Sequence, residues 1–333
     1  MLNFTKCGIS DSLLQFQDLL TYVDNYIFTP LYVVIGLLGN FALVIVFYKQ
    51  WRQDNAYAYQ MTLTLSKILQ IINFSLFYLS FKWCVVVETE NGCTWYMHNP
   101  ILMYHAAHLA VPVLNGLITV SLLLSVAMSA DRVFALVKPF LYKTIDHRRH
   151  HLVATAVCVA ISVATSAFEV NRWNVVHSTS NETDTYFVRS NAPYMATTLS
   201  ITFWHLRIAI RLLAVIALIS LNVTMAVVFR SRGKKVGQMI SGVHERERER
   251  KQAERTLVVL TAYQSILSVI SLGSLSALAI ATVVSPRFQE CYLGLMAPFV
   301  DVAIELAEGT DFFMIITISK RMRGIVWNAL RFW

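Results

Sequence analysis

Seven apolar runs, each long enough to cross a lipid bilayer, constrain this chain more than any other feature of its sequence. About 20 apolar residues, rising about 1.5 Å each, cross a hydrocarbon core of roughly 30 Å. Because lipid offers backbone groups no partners, runs without the alternation of a closed barrel must be helices. We number the runs span 1 to span 7, and they are Ile27–Tyr48, Tyr57–Phe81, Ile101–Ala130, Leu152–Phe168, Phe203–Phe229, Thr256–Val284 and Leu293–Ile318.

The composition agrees with an all-α membrane protein built as a seven-helix bundle. Hydrophobic residues make up 56% of the 333 residues and charged residues 14%, whereas soluble domains are roughly one quarter charged. We therefore expect an extracellular segment at 1–25, the bundle at 26–318 and a cytoplasmic tail at 319–333. In the tail, apolar residues at helical spacing predict a short amphipathic helix 8 on the membrane surface.

The basic residues predict the orientation of the bundle. Of the 28 Lys and Arg residues, 20 lie after spans 1, 3, 5 and 7, and nine of these fall within Arg230–Arg255. Cytosolic loops carry such an excess, so the amino terminus is predicted outside, at the plasma membrane. The net charge of +8 is then explained by the lipid surface and not by nucleic acid. Glycosylation sequons at Asn3 and Asn181 fall on the same predicted outer face.

A twelve-residue motif stands at the predicted cytosolic end of span 3. Residues 131–142 read Asp-Arg-Val-Phe-Ala-Leu-Val-Lys-Pro-Phe-Leu-Tyr. This resembles the Asp-Arg-Tyr-x-Ala-Ile-x-x-Pro-Leu-x-Tyr signature of rhodopsin-like G-protein-coupled receptors. The outright matches are Asp131, Arg132, Ala135, Pro139 and Tyr142.

Two weaker motifs extend the resemblance. Gly36–Asn40 is similar to the Gly-Asn motif of span 1, and Asp311–Ile315 to a worn form of the span 7 motif. The Phe at position 312, together with Pro112 in span 3, resembles nematode-type peptide receptors and chemoreceptors of the Srw kind. The resemblance implies a ligand in the outer half of the bundle and a heterotrimeric G protein at the cytosolic face. It also implies that Arg132 pairs with Asp131 at rest and faces the G protein on activation.

The chain also departs from the family pattern. Val133 replaces the signature Tyr, and Ala107 stands about where the family has the Cys of its outer disulfide. Ser271 lies where span 6 normally kinks at Pro, and Ile315 replaces the span 7 Tyr. These losses leave open a receptor-shaped decoy or scaffold that no longer signals.

A lysine and an aspartate are predicted inside the bilayer. Lys67 lies 27 residues after Asn40, close to where the family places its sodium-binding Asp, and Asp311 lies where the family has Asn. An ionisable group at this depth costs several kcal/mol unless it is paired or hydrated. We hypothesise a Lys67–Asp311 ion pair beside Asn40 in place of the sodium pocket. The alternative is that Lys67 points elsewhere and extends its ammonium group to the interface.

Charged residues in the outer half predict a ligand pocket with one basic and one acidic wall. Residues four apart share a helix face. A pocket of this kind suits a peptide better than an apolar odorant. The alternative is that the basic and acidic residues pair with one another and bind nothing. The residues are His105 and His108 in span 3, Arg207 and Arg211 in span 5, and Asp301, Glu305 and Glu308 in span 7.

The remaining signals are weak. Cys7, Cys93 and Cys291 are predicted outside, and Cys93–Cys291 is the favoured disulfide among three pairings. His147–His151 reads as a basic loop and not as a metal site. The sequence predicts no metal, no cofactor and no enzyme activity, because it contains none of the usual catalytic motifs. A transporter-like or channel-like protein is the further alternative, with the buried charges lining a path.

Overall fold

The computed structural model describes residues 11–50, 55–75, 99–142, 144–180 and 183–237, and short stretches between 258 and 324. Described residues between 258 and 281 are helical. The α-helices are Asp11–Val23, Thr29–Gln50, Asn55–Phe74, Pro100–His105, Val111–Val137, Pro139–Tyr142, His147–Ser166, Ala192–Met195 and Thr198–Gly237. The π-turns are Asp24–Phe28 and Ala106–Ala110, the 3₁₀ turn is Ala167–Asn171, and the strands are β1 (Trp173–Ser180) and β2 (Thr183–Ser190).

Four helices in the described part are long and apolar enough to cross a membrane. They are Gln15–Lys49, Pro100–Val137, Arg148–Asn171 and Thr198–Ser231, which correspond to spans 1, 3, 4 and 5. Span 5 continues as helix to Gly237, into the segment predicted as a cytosolic loop. Span 1 begins early, because residues 11–23 of the predicted outer segment are already helical.

Both π-turns lie just before a proline. Asp24–Phe28 precedes Pro30, and Ala106–Ala110 precedes Pro112. A proline inside a helix removes one hydrogen bond, and its ring clashes with the carbonyl four residues earlier. A locally wider turn relieves that clash and keeps the helix going. The outer halves of spans 1 and 3 therefore stay helical through their prolines.

Span 3 lies at the centre of the described bundle, packed against spans 2, 4 and 5. Its buried serines form polar contacts with two neighbours. Ser121 lies 3.0 Å from the Ser66 hydroxyl of span 2, and Ser129 lies 2.9 Å from the Ser265 hydroxyl of span 6. Small hydroxyl side chains allow close helix approach in lipid and hydrogen-bond across the interface.

The Gly-Asn motif brings spans 1 and 2 together. A Cβ at Gly36 would stand 2.9 Å from the Ile71 Cδ1 atom, so any larger residue would require the end of the Ile71 side chain to shift. Asn40 lies one turn further on and donates to the Gly36 carbonyl at 2.7 Å. Lys67 is likewise one turn from Ile71 on the antiparallel helix, and it is buried. Asn40 and Lys67 therefore lie at a similar depth.

Two local structures differ from the sequence-based expectations. Residues 147–151, interpreted as a basic loop, instead form the first turn of the span 4 helix. Asp146 caps this helix by accepting from the amides of Arg148 and Arg149, and such a cap offsets the cost of unpaired amides. The antiparallel hairpin of β1 and β2 was not predicted, and it follows directly on the outer end of span 4.

Candidate functional site

A buried polar network stands at the end of span 3 that the sequence predicts to be cytosolic. Arg132 Nη2 lies 2.7 Å from Asp131 Oδ2, and both side chains are less than a tenth exposed. The same Nη2 donates to the Tyr142 hydroxyl at 2.8 Å, and that hydroxyl donates to Asp131 Oδ2 at 3.0 Å. We call Asp131, Arg132 and Tyr142 the cytosolic network. It holds the Arg132 guanidinium against its own helix.

Local structure explains why Tyr142 reaches Arg132. Lys138 leaves the helical conformation and ends the span 3 helix, and Pro139 begins the short helix that carries Tyr142 back. Proline is favoured in a first helical turn because it has no amide hydrogen to satisfy there. Pro139 thus has a positioning role for Tyr142.

A cavity of about 430 Å³ borders the cytosolic network. Asp131 and Tyr142 lie on one side of it, and Tyr59 of span 2 and His150 of span 4 lie on the other. The buried Tyr59 hydroxyl has no hydrogen-bond partner among the described residues. His151 packs edge-on against the Tyr59 ring, with centroids 4.7 Å apart. Space therefore exists beside the network for its side chains to rearrange.

Span 6 contacts span 3 one turn above the network. Ser129 and Ser265 share a hydrogen bond at 2.9 Å, and Ser125 and Ser268 share one at 3.4 Å. Sequence reasoning missed these serines, because their positions match no part of the family signature. The available signal was the spacing of four between Ser125 and Ser129, which puts both on one face of span 3.

A second buried polar cluster lies in the half of the bundle that is predicted to be outer, between spans 3, 4 and 5. Arg207 Nη1 contacts Glu169 Oε1, and both residues are 6% exposed. Glu169 Oε2 accepts from the Asn115 amide at 2.7 Å. Sequence reasoning missed Glu169, since it falls one residue beyond the apolar run of span 4. The available signal was a carboxylate at that boundary, at a depth similar to that of the two span 5 arginines.

Arg211 extends this cluster one turn deeper and contacts neutral oxygens. Its Nη2 donates to the Asn115 carbonyl at 3.0 Å and to the Asn115 side-chain oxygen at 3.1 Å. Its Nε and Nη2 reach the Thr119 hydroxyl at 3.2 and 3.1 Å. Thr119 in turn donates to the Asn115 carbonyl. Arg211 is therefore held by span 3 through a planar set of donors.

Arg172 completes the cluster at its extracellular edge. Its Nη1 lies 3.6 Å from Glu169 Oε1, and its side chain is 23% exposed. Its guanidinium also lies 5.7 Å from the centre of the Trp204 ring. Burial lowers the pKa of Arg172, and the nearby Glu169 carboxylate opposes that shift. We call Glu169, Arg172, Arg207 and Arg211 the outer cluster.

Glu305, the described member of the predicted acidic wall, and His108 have described contacts outside the outer cluster. Glu305 is buried and accepts from the Thr29 hydroxyl of span 1 at 2.8 Å. His108 donates from Nδ1 to the Val170 carbonyl at 2.6 Å and stacks on Tyr104. His105 is half-buried at the start of the π-turn. Arg207 pairs with Glu169, and the alternative in which span 7 acids pair with the span 5 arginines stays a prediction, because Asp301 and Glu308 lie outside the described residues.

Several predicted residues lie outside the described residues. They are Asn3, Cys7, Cys93, Asn181, Cys291, Asp301, Glu308 and Asp311. The Lys67–Asp311 pair, the Cys93–Cys291 disulfide and both glycosylation sites therefore stay predictions. Charge exchange tests the first of them, since Lys67→Asp combined with Asp311→Lys restores surface expression if the pair exists.

An apolar groove of about 450 Å³ opens between spans 2, 3 and 4. Leu69, Val113 and Val163 line it, and each is more than two-fifths exposed. Exposed apolar side chains on spanning helices face hydrocarbon and not water. This groove is therefore a lipid-facing surface, distinct from the two polar clusters.

The chain was compared with known families and proteins. The model of the family described as "Serpentine type 7TM GPCR chemoreceptor Srx" matches residues 31–316, which is most of the chain. No curated protein matches. The family match confirms the predicted seven-helix bundle and the chemoreceptor part of the resemblance, although the matching family is Srx and not Srw. Srx is a family of receptors and not of enzymes.

Proposed function

Because the chain belongs to the Srx family of seven-transmembrane chemoreceptors, we propose that it binds an extracellular ligand and activates heterotrimeric G proteins from the plasma membrane. Its amino terminus faces outside, and the cytosolic network faces the G protein. The observation that carries the proposal is the contact of Arg132 with both Asp131 and Tyr142.

The cytosolic network supports a two-state mechanism. In the resting state the Arg132 guanidinium is occupied by one carboxylate and one phenol on neighbouring turns. In the active state Arg132 leaves them and turns toward the cytosol, where the G protein binds. The 430 Å³ cavity beside Asp131 and Tyr142 provides room for that change. A ligand drives it by binding the active state more tightly than the resting state.

Span 6 is the moving element in this proposal. Its outward swing breaks the Ser129–Ser265 and Ser125–Ser268 contacts. Each neutral hydrogen bond contributes about 1 kcal/mol in a membrane interior, so the two serine pairs stabilise the resting state. Span 6 has no proline at which it could kink. The serines thereby replace part of the switching machinery that the sequence has lost.

The ligand we propose is a small molecule and not the peptide that the two-walled pocket favoured. Arg207 and Arg211 lie about two and a half and three and a half turns inside the span 5 helix, and Arg207 borders a small space with Phe168, Glu169 and Trp204. Glu305, one member of the acidic wall, bonds to span 1. These contacts of Arg207 and Glu305 with other groups favour a small molecule over a peptide that would lie between two charged walls.

Nucleotide exchange on a panel of G proteins tests the proposal. Membranes expressing the chain are screened with a library of small molecules and peptides. We expect one or more small molecules to stimulate exchange, and we expect Arg132→Ala to abolish the response. Arg149→Ala is the matched control, because Arg149 is an exposed arginine at the cytosolic start of span 4.

The alternatives give different results in the same membranes. Ligand binding without exchange on any G protein, with the chain at the surface, would establish the decoy. Ion current without G protein would establish the transporter-like or channel-like reading. A response to peptides alone would restore the peptide receptor and remove the small-molecule proposal.

A further inference from the structure

We propose that the outer cluster binds a small organic oxyanion, such as a carboxylate, and that this anion is the recognised group of the extracellular ligand. The role of this anion as part of the extracellular ligand rests on the proposed receptor function. The binding of the anion itself does not depend on signalling. It follows from the charge, the unpaired donors and the geometry of Glu169, Arg172, Arg207 and Arg211.

The first argument is charge. The outer cluster contains three guanidinium groups and one carboxylate. Arginine stays protonated in proteins, so the cluster carries two net positive charges between spans 3, 4 and 5. Arg211 is 6% exposed, and its described contacts are with neutral oxygens of span 3. Buried charge is costly without an opposite charge, so one or two further negative charges are favoured here.

The second argument is an unused donor. Arg207 is 6% exposed, and its buried Nε atom has no acceptor among the described residues. Arginine offers a planar fork that matches two oxygens of a carboxylate, sulfate or phosphate. An incoming oxyanion can therefore accept from Arg207 while Glu169 retains its contact with Asn115 at 2.7 Å.

The third argument is size. Phe203, Trp204, Arg172 and Arg207 border a space of about 10 Å³, which is about the volume that one water molecule needs. Access requires the partly exposed Arg172 side chain to move from the Trp204 ring. The opened space suits a single anionic head next to a flat apolar body, because three aromatic residues, Phe168, Phe203 and Trp204, line it. A peptide chain does not fit it.

The existing carboxylate shows which geometry the cluster accepts. Glu169 faces Arg207 and Arg172 through one oxygen and Asn115 through the other. Glu169→Ala removes this carboxylate and leaves the three arginines around a space that a free carboxylate can occupy. A free carboxylate added to the solution then has a site to fill.

The experiment is chemical rescue of the full chain purified in lipid nanodiscs. The unfolding temperature of Glu169→Ala is measured with sodium acetate or sodium benzoate. The matched neutral probes are acetamide and benzamide, and sodium chloride controls for ionic strength. A ligand that binds the folded state raises the unfolding temperature by mass action. We expect each carboxylate to restore several degrees, and the neutral amides and chloride to restore none.

Variants and the unmodified chain keep the test decisive. Arg207→Gln combined with Glu169→Ala should abolish the rescue. In the unmodified chain benzoate should give a smaller rise than in Glu169→Ala, because Glu169 already neutralises part of the charge. If Glu169→Ala does not fold, the unmodified chain decides: no difference between benzoate and benzamide overturns the proposal. An equal rise with chloride, or rescue that survives Arg207→Gln, also overturns it.

Failure of this inference is distinguishable from failure of the receptor proposal. Carboxylate-specific stabilisation without nucleotide exchange retains the anion site and removes the signalling function. Exchange stimulated by uncharged molecules alone, with no carboxylate-specific stabilisation, retains the receptor and removes the anion site.

Discussion

The two buried polar clusters of this protein differ in how their charges are balanced. The cytosolic network brings one arginine, one aspartate and one tyrosine together within eleven residues of sequence. The outer cluster brings three arginines and one glutamate together from two helices and the segment joining them. The first is locally neutral, whereas the second has an excess of positive charge.

The difference in charge balance implies a different change in each cluster. In the cytosolic network one arginine contacts one carboxylate and one phenol, and the change we propose is that these contacts break and release Arg132. In the outer cluster one arginine contacts neutral oxygens, and Glu169 is the one carboxylate that contacts its arginines among the described residues. The change we propose for this cluster is that it gains an anion. In the mechanism we propose, a signal begins with neutralisation of the outer cluster and ends with release of Arg132 from the cytosolic network.

The largest expected effect comes from removing the single carboxylate of each cluster. We expect Glu169→Gln to lower the free energy of unfolding by about 3–5 kcal/mol, because it leaves buried arginines without an opposite charge. Asp131→Asn should lower the free energy of unfolding by about 1–2 kcal/mol. The loss is smaller because Arg132 still contacts Tyr142 and a cavity lies beside the network. Thermal and denaturant unfolding in nanodiscs measures both. Equal losses would remove the proposed difference between the clusters.

The next effect concerns the shape of the Arg211 side chain. Arg211→Lys keeps the charge but loses the fork that reaches the Asn115 and Thr119 oxygens at once. We expect a loss of about 2 kcal/mol of unfolding free energy, because lysine cannot hold both partners. Arg149→Lys, at an exposed cytosolic position, is the control and should change stability by less than about 0.5 kcal/mol. An unchanged Arg211→Lys would mean that charge alone holds this part of the cluster.

A smaller effect on stability, but a clear one on signalling, is expected in the cytosolic network. Tyr142→Phe removes the hydroxyl between Asp131 and Arg132 and should cost about 1 kcal/mol. Because the lost contacts belong to the resting state, basal nucleotide exchange should rise several-fold. Tyr104→Phe, an exposed tyrosine in the outer half of span 3, is the control. Lower basal exchange in Tyr142→Phe would contradict a restraining role for Tyr142.

The smallest effect belongs to the exposed edge of the outer cluster. Arg172→Gln should lower the free energy of unfolding by less than about 1 kcal/mol, since a partly exposed ion pair at 3.6 Å contributes little. The same unfolding assay, repeated in high salt, measures it, and the difference from the unmodified chain should shrink as salt screens the pair. A loss as large as that of Glu169→Gln would place Arg172 among the buried members.

Much of the fold was predictable from single residues and their spacing. Long apolar runs identified the spans, and the family match confirms the seven-helix bundle. Helix ends were less predictable, because span 5 stays helical to Gly237, where polar residues continue a helix in water as well as they form a loop. The hairpin after span 4 was missed, because its polar residues lack the tight-turn pattern that identifies short strands.

The cytosolic site was more predictable than the outer one for a physical reason. Asp131, Arg132 and Tyr142 are close in sequence, so one motif contains the whole network. Arg207 and Arg211 were identified by their positions within an apolar run, but their partners lie about 40 and 90 residues away on other helices. No local pattern connects residues over such distances.

The sequence by itself determined that this chain crosses the membrane and which charged residues fall within its apolar runs. It also located the motif at residues 131–142 that resembles the signature of rhodopsin-like receptors. These follow from hydropathy and from short spacings, which a linear chain contains in full. The tertiary structure decided that Glu169 pairs with Arg207 and that neutral oxygens of span 3 contact Arg211. Pairing between helices depends on their packing and rotation, because a charged group in a low-dielectric interior takes whichever partner the neighbouring helix presents.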